Sequence, residues 1–205
     1  MNIWLLILET TLLYFVPPLL VVTGLLPKVA IMPLLWIVFL YCIIALHRSG
    51  TDVLHFNINW LVLRHILVRF VLLGTLMTLF VILLCPQLLF SMPREHFGFW
   101  LLILLLYPLL SALVQEVVFR AFFAYRFENI IPGRALFLLS NAVLFAYIHC
   151  VFGNALALVF SFIGALLFMS TYLKTRSVAM SAIEHALYGD LIFTLGIGRF
   201  FYHAG

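Results

Sequence analysis

Charge is scarce in this chain. Of its 205 residues only 9% are Asp, Glu, Lys or Arg, against about 25% in an ordinary soluble domain. So little polar surface cannot cover a globule in water, which excludes a sizeable soluble domain and makes lipid the solvent. Cysteine is equally sparse. Cys42, Cys85 and Cys150 lie in or beside apolar runs without CxxC or CxxxC spacing, which argues against a disulfide framework and leaves them as small hydrophobes. No basic stretch precedes the first apolar run, so that run reads as a retained span rather than a cleaved signal. Glu9 and the Pro17-Pro18 pair lie inside it, and the prolines predict a kink or break. HExxH is missing, unlike in typical zinc peptidases. None of the serines sits in GxSxG, which weakens nucleophilic catalysis. Internal repeats, common in coupled transporters, are absent too.

Apolar sequence dominates what is present, at 66% of residues. A spanning helix needs about 20 mostly apolar residues. About seven segments satisfy this, near 3–26, 29–46, 65–85, 98–124, 134–151, 154–173 and 178–202. The predicted fold class is all-α: a polytopic transmembrane helical bundle with short loops, forming one integral membrane unit. Residues 1–97 supply N-terminal helices and residues 98–205 the core that carries the motifs. The stretch Asp52–Arg64 mixes Trp60, Leu61 and Leu63 with Asn57, Asn59 and Arg64, a pattern that suits an interfacial amphipathic segment or a plain loop. Basic residues gather on one side of the bundle (Arg48, Arg64, Arg69, Arg126, Arg134, Lys174, Arg176), with Lys28, Arg94 and Arg199 opposite. The positive-inside rule then puts the N-terminus in the cytoplasm and the C-terminus outside. The net charge of +4 fits such loops and does not call for nucleic acid.

Within these apolar segments sit groups that a bilayer rejects, at about 2.5–3.5 kcal/mol each on insertion scales. Glu116 and Arg120 are four apart and share a helix face, as do Phe145 and His149, with Asn141 one turn earlier. His185 follows Glu184 and precedes Tyr188 and Asp190. Three chemistries use one Glu and two His from separate helices. Glu116 with one histidine can activate water while the other binds an oxyanion. Two histidines and a carboxylate can hold a metal with an open position. A transporter can relay protons through the same groups. A purely structural cluster, in a catalytically silent immunity factor or scaffold, is the alternative of a different class.

The order "QEVVFR", "FAYIH", "IEHALYG", one motif per helix over roughly residues 98–205, resembles the CAAX protease and bacteriocin-processing (CPBP) family. These are intramembrane glutamic endopeptidases related to the type II prenyl endopeptidase. The family pattern is EExxxR, FxxxH, then His followed four residues later by Asn or Asp. The resemblance implies an endopeptidase in which Glu116 and His149 hold the attacking water, Arg120 orients the carboxylate, His185 lines the oxyanion hole and Phe145 packs beside His149. It implies no cofactor and no metal. The implied partners are membrane lipids and a peptide or protein substrate, with membrane-associated or lipidated ones included. The implied location is a bacterial inner membrane. Two positions depart from the pattern. Gln115 replaces the first glutamate, and Gly189 stands where Asn or Asp is expected, with Asp190 one residue later. Glu184, Tyr188 and Asn141 are the candidates to compensate.

Overall fold

The computed structural model describes residues 2–51 and 58–202. Those residues form a helical bundle. Six helices are long and apolar enough to cross a membrane: α1 (Ile3–Val22), α2 (Lys28–Arg48), α3 (Trp60–Leu84), α4 (Phe97–Phe127), α5 (Arg134–Phe152) and α6 (Ala155–Thr175). A shorter seventh, α7 (Val178–Thr194), completes the bundle and is followed by a 3₁₀ turn over Ile197–Phe201. The usual arrangement of a soluble protein is inverted. Leucines such as Leu72, Leu76 and Leu83 are exposed on α3, whereas Glu116, Arg120, Asn141 and Glu184 have no exposed surface. In lipid the backbone satisfies itself within helices, and the remaining polar groups must find one another inside.

Local signals set the helix boundaries. Asn59 accepts hydrogen bonds from the Leu61 and Val62 amides and starts α3 at Trp60, so Trp60–Arg64 form the first turns of a spanning helix. That differs from both the interfacial segment and the plain loop read over Asp52–Arg64, of which 52–57 lie outside the described residues. Asn154 caps α6 through the Ala157 amide at 2.8 Å, and Gly153 at φ 68° makes the reversal from α5, a conformation open to glycine at little cost. Ser177 caps α7. The prolines do not break α1. A wide π-helical turn over Thr11–Phe15 precedes them, and Pro17 and Pro18 fall in the first turn of the helical piece Val16–Val22, where a missing N–H is tolerated.

Helix α4 carries two such wide turns, at Pro108–Ala112 and Val117–Phe122, on either side of Gln115 and Glu116. Each adds a residue to a turn and rotates the downstream part of the helix about its axis, a device often found where a helix carries function. The core around α4 is aromatic and aliphatic. Phe119, Phe122 and Phe123 pack with Phe137, Phe145 and Met169. Tyr14 of α1 reaches into it and donates to the Val118 carbonyl at 3.0 Å.

Candidate active site

The motif residues converge. Glu116 of α4 is fully buried and both its oxygens are engaged: Oε2 accepts from Arg120 Nε at 3.0 Å, and Oε1 faces His185 Nδ1 of α7 at 2.9 Å. Glu116 and His185 are 69 apart in sequence, so this contact is tertiary. Arg120 extends the network to α5 by donating to Asn141 Oδ1, and Asn141 Nδ2 donates to the Phe119 carbonyl at 2.7 Å. The guanidinium also lies over the Phe145 ring at 4.7 Å, a placement that favours a cation. A buried carboxylate is tolerated here because a guanidinium and an imidazole surround it; alone it would face a desolvation cost of several kcal/mol.

His185 is held on several sides. Its ring stacks on Phe168 at 4.6 Å and 16°, and meets Phe145 and Tyr107 edge-on at 5.8 and 6.0 Å. His149 is held differently. Its Nδ1 lies 2.7 Å from the Phe145 carbonyl, and since a carbonyl only accepts, Nδ1 carries the proton. In the neutral ring Nε2 is then left with its lone pair. The Phe145 ring meets both histidines, at 4.8 Å from His149 and 5.8 Å from His185 between ring centroids. Phe201 reaches the outer side of His149, at 6.2 Å between ring centroids. The 3₁₀ turn that presents it is pinned where Asn154 Nδ2 donates to the Phe200 carbonyl at 2.7 Å. That turn starts at Gly196 (φ 88°), where a Cβ would lie 2.0 Å from the Leu88 carbonyl oxygen.

A cavity of about 960 Å³ runs past this cluster. Gln115, His149 and His185 line it, together with Tyr107, Tyr188 and apolar side chains from every helix; Glu116 does not. The carboxylate read from the sequence as the water-activating group lies behind the wall, one residue away from an amide that faces the cavity. Gln115 donates through Nε2 to Ser111 Oγ at 2.8 Å, and its Oε1 is buried without a protein partner.

The remaining candidates divide. Asn141 joins the cluster through Arg120. Glu184 does not, although it adjoins His185: it pairs with Arg69 of α3 and accepts from Thr171 Oγ1 of α6 at 2.6 Å, forming a second polar network on another face of α7. Tyr188 packs on Phe70 and Phe168, with its hydroxyl buried and unpartnered. Asp190 keeps one oxygen buried without a partner and is not on the cavity wall. Glu9 is bound to Tyr41 and, at 2.7 Å, to Arg126, and it shares no partner with the histidines. Among the described residues no three of His, Cys, Asp and Glu are grouped as metal ligands would be. Sequence reasoning missed Tyr107, Phe168 and Arg69. Arg69 alone carried a signal, as a cation inside an apolar run with no partner at helical spacing.

Residues 96–189, from just before α4 to near the end of α7, match the family model described as Type II CAAX prenyl endopeptidase Rce1-like. The match bears out the resemblance read from the three motifs. At the level of the family it supports a CAAX-type intramembrane protease, a hydrolase of peptide bonds. No curated protein matches the chain, and no solved structure does.

Proposed function

We propose that this chain is an integral membrane endopeptidase whose working groups on the cavity wall are His149 and His185, with Glu116 acting through His185. The observation that carries this reading is the bridge Arg120–Glu116–His185 across α4 and α7, set beside a second histidine whose tautomer is fixed. In the proposed step a water loses a proton to His149 Nε2 as its oxygen attacks the scissile carbonyl carbon. The developing oxyanion takes a hydrogen bond from Nε2–H of His185 in its doubly protonated form, whose Nδ1–H the Glu116 carboxylate holds. The C–N bond then breaks, and the proton returns from His149 to the leaving amine. The reaction consumes one water and one peptide bond and needs no covalent intermediate. Relative to the sequence reading, water activation passes from Glu116 to His149, because both carboxylate oxygens are already bound.

The family name makes a prenylated peptide the first substrate to try, beside its unprenylated form. His149→Ala is expected to lower cleavage by about 10²–10⁴-fold, the usual worth of a general base, with folding preserved because the ring's hydrogen bond is to its own helix and, among the described residues, only an aromatic contact with Phe201 crosses to another element. Cleavage by that variant at the parent rate would refute the assignment. Gln115 favours a second reading, in which the cavity holds the peptide without cutting it, since an amide faces the cavity where the family pattern has a carboxylate. A parent chain that binds labelled peptide uncut, with cleavage appearing in Gln115→Glu, would decide for it. We also propose a bacterial inner membrane, on the family resemblance, with the N-terminus cytoplasmic, supported by the distribution of basic residues in the loops and helix ends; thiol labelling of single-cysteine variants from each side of the membrane tests the orientation.

A further inference from the structure

Gly189 stands one turn after His185 on α7, so a side chain at this position would share the face of His185. None fits. A Cβ there would lie 2.2 Å from Cε1 of Tyr107 and 2.5 Å from both Cζ and Oη. The space is already filled by the Tyr107 ring, which arrives from α4 directly before the wide turn at Pro108. Phe193 holds the ring edge-on at 5.5 Å, and His185 meets it at 6.0 Å and 78°. Tyr107 lines the same cavity as His149, His185 and Gln115, and among the described residues its hydroxyl makes no hydrogen bond. Tyr107 is half-buried on that wall. Here the hydroxyl stands ready for an acceptor that comes with the ligand. Glycine at 189 is the condition for this arrangement, because any larger residue displaces the ring.

The geometry points to Tyr107 as a hydrogen-bond donor to the carbonyl oxygen of the bound peptide, working beside His185. This assignment rests on the proposed binding of a peptide carbonyl in the cavity, and it holds whether that peptide is cut or only held. Tyr107 would touch the substrate itself, and the pair Tyr107/Gly189 would act as one unit: the helix that carries His185 is stripped of its side chain so that a neighbouring helix can supply the donor.

The test compares two probes in detergent micelles, a short apolar peptide aldehyde and the same peptide with a methyl group in place of the aldehyde. Tyr107→Phe is expected to weaken binding of the aldehyde by up to about tenfold, the worth of one hydrogen bond, while binding of the methyl analogue is unchanged. If the chain cleaves peptide, the same variant should lower kcat with little change in KM, by up to the roughly 10²–10³-fold seen for a lost oxyanion donor. The ring position is checked separately: Gly189→Ala should lower thermal stability, and adding Tyr107→Ala should restore part of it. Equal affinity of parent and Tyr107→Phe for the aldehyde overturns the donor role, as does equal weakening of both probes. A parent chain that binds neither probe brings down the peptide-binding reading along with this one.

Discussion

Replacing Arg120 by Met tests whether the buried cluster behaves as one electrostatic unit. The variant keeps the aliphatic stem and most of the volume, so the cavity left behind is small. It removes the guanidinium that binds Glu116 Oε2 at 3.0 Å, donates to Asn141 and lies over Phe145. Glu116, with no exposed surface, would then hold its charge against His185 alone. Stranding one member of a buried pair costs about 3–5 kcal/mol. Glu116→Gln strands the guanidinium instead and should cost a similar amount. The double variant strands neither charge, so its loss should fall short of the sum of the two singles by at least about 2 kcal/mol. Ordinary hydrogen bonds between membrane helices couple by only about 0.6 kcal/mol, which makes the two cases separable. The measurement is reversible unfolding of all four proteins in mixed micelles, followed by tryptophan fluorescence. If the single losses add to the double within about 0.5 kcal/mol, as independent sites do, the reasoning about this cluster fails.

Arg69→Ala should strand Glu184 with Thr171 as its remaining partner and cost about 3 kcal/mol, whereas Glu184→Gln, which keeps hydrogen-bonding oxygen and nitrogen, should cost less; a neutral Arg69→Ala in the same unfolding assay would remove this network from the account of stability. At the membrane edge, Arg176 binds Glu128 through both terminal guanidinium nitrogens, with one contact at 2.7 Å, and this holds the Glu128 carboxyl below the usual glutamate range. A depressed folded value means the contribution is complete above the unfolded pKa of about 4.3 and is lost as pH falls through the lower folded value. Both side chains are more than a third exposed, so solvent screening limits the effect to about 1 kcal/mol or less. Glu128→Gln should flatten that part of the acid limb in a thermal-stability profile; an unchanged limb would deny the pair any role in it.

The helical bundle was legible because spans are long apolar runs, and a run is visible without tertiary information. The contacts of Glu116 with Arg120 and of the Phe145 ring with His149 were legible for a related reason, since residues four apart share a helix face. Which of two neighbours faces the cavity was not legible. Gln115 and Glu116 are about 100° apart on a regular helix, and the wide turns on either side of them shift the register by an amount that no periodicity reports. The Arg69–Glu184 pair joins residues 115 apart in sequence, so only the fold brings them together. Gly189 read as a departure from a pattern; its cause is the Tyr107 ring far upstream, and the packing of α4 on α7 is what reveals it. The early start of α3 was the one boundary that local chemistry could have supplied, since Asn59 is a strong N-cap residue.

The stretch matched by the family model begins at residue 96, yet Leu13 and Pro17 of α1, Val38 of α2 and Leu73 and Met77 of α3 help to enclose the chamber beside the histidines. Excising residues 96–189 would therefore remove a partition. Acyl chains would flood the space beside His149 and His185, and water would be driven from it. A minimal protein cut to the recognisable motifs would keep every diagnostic residue and lose the compartment in which they can act.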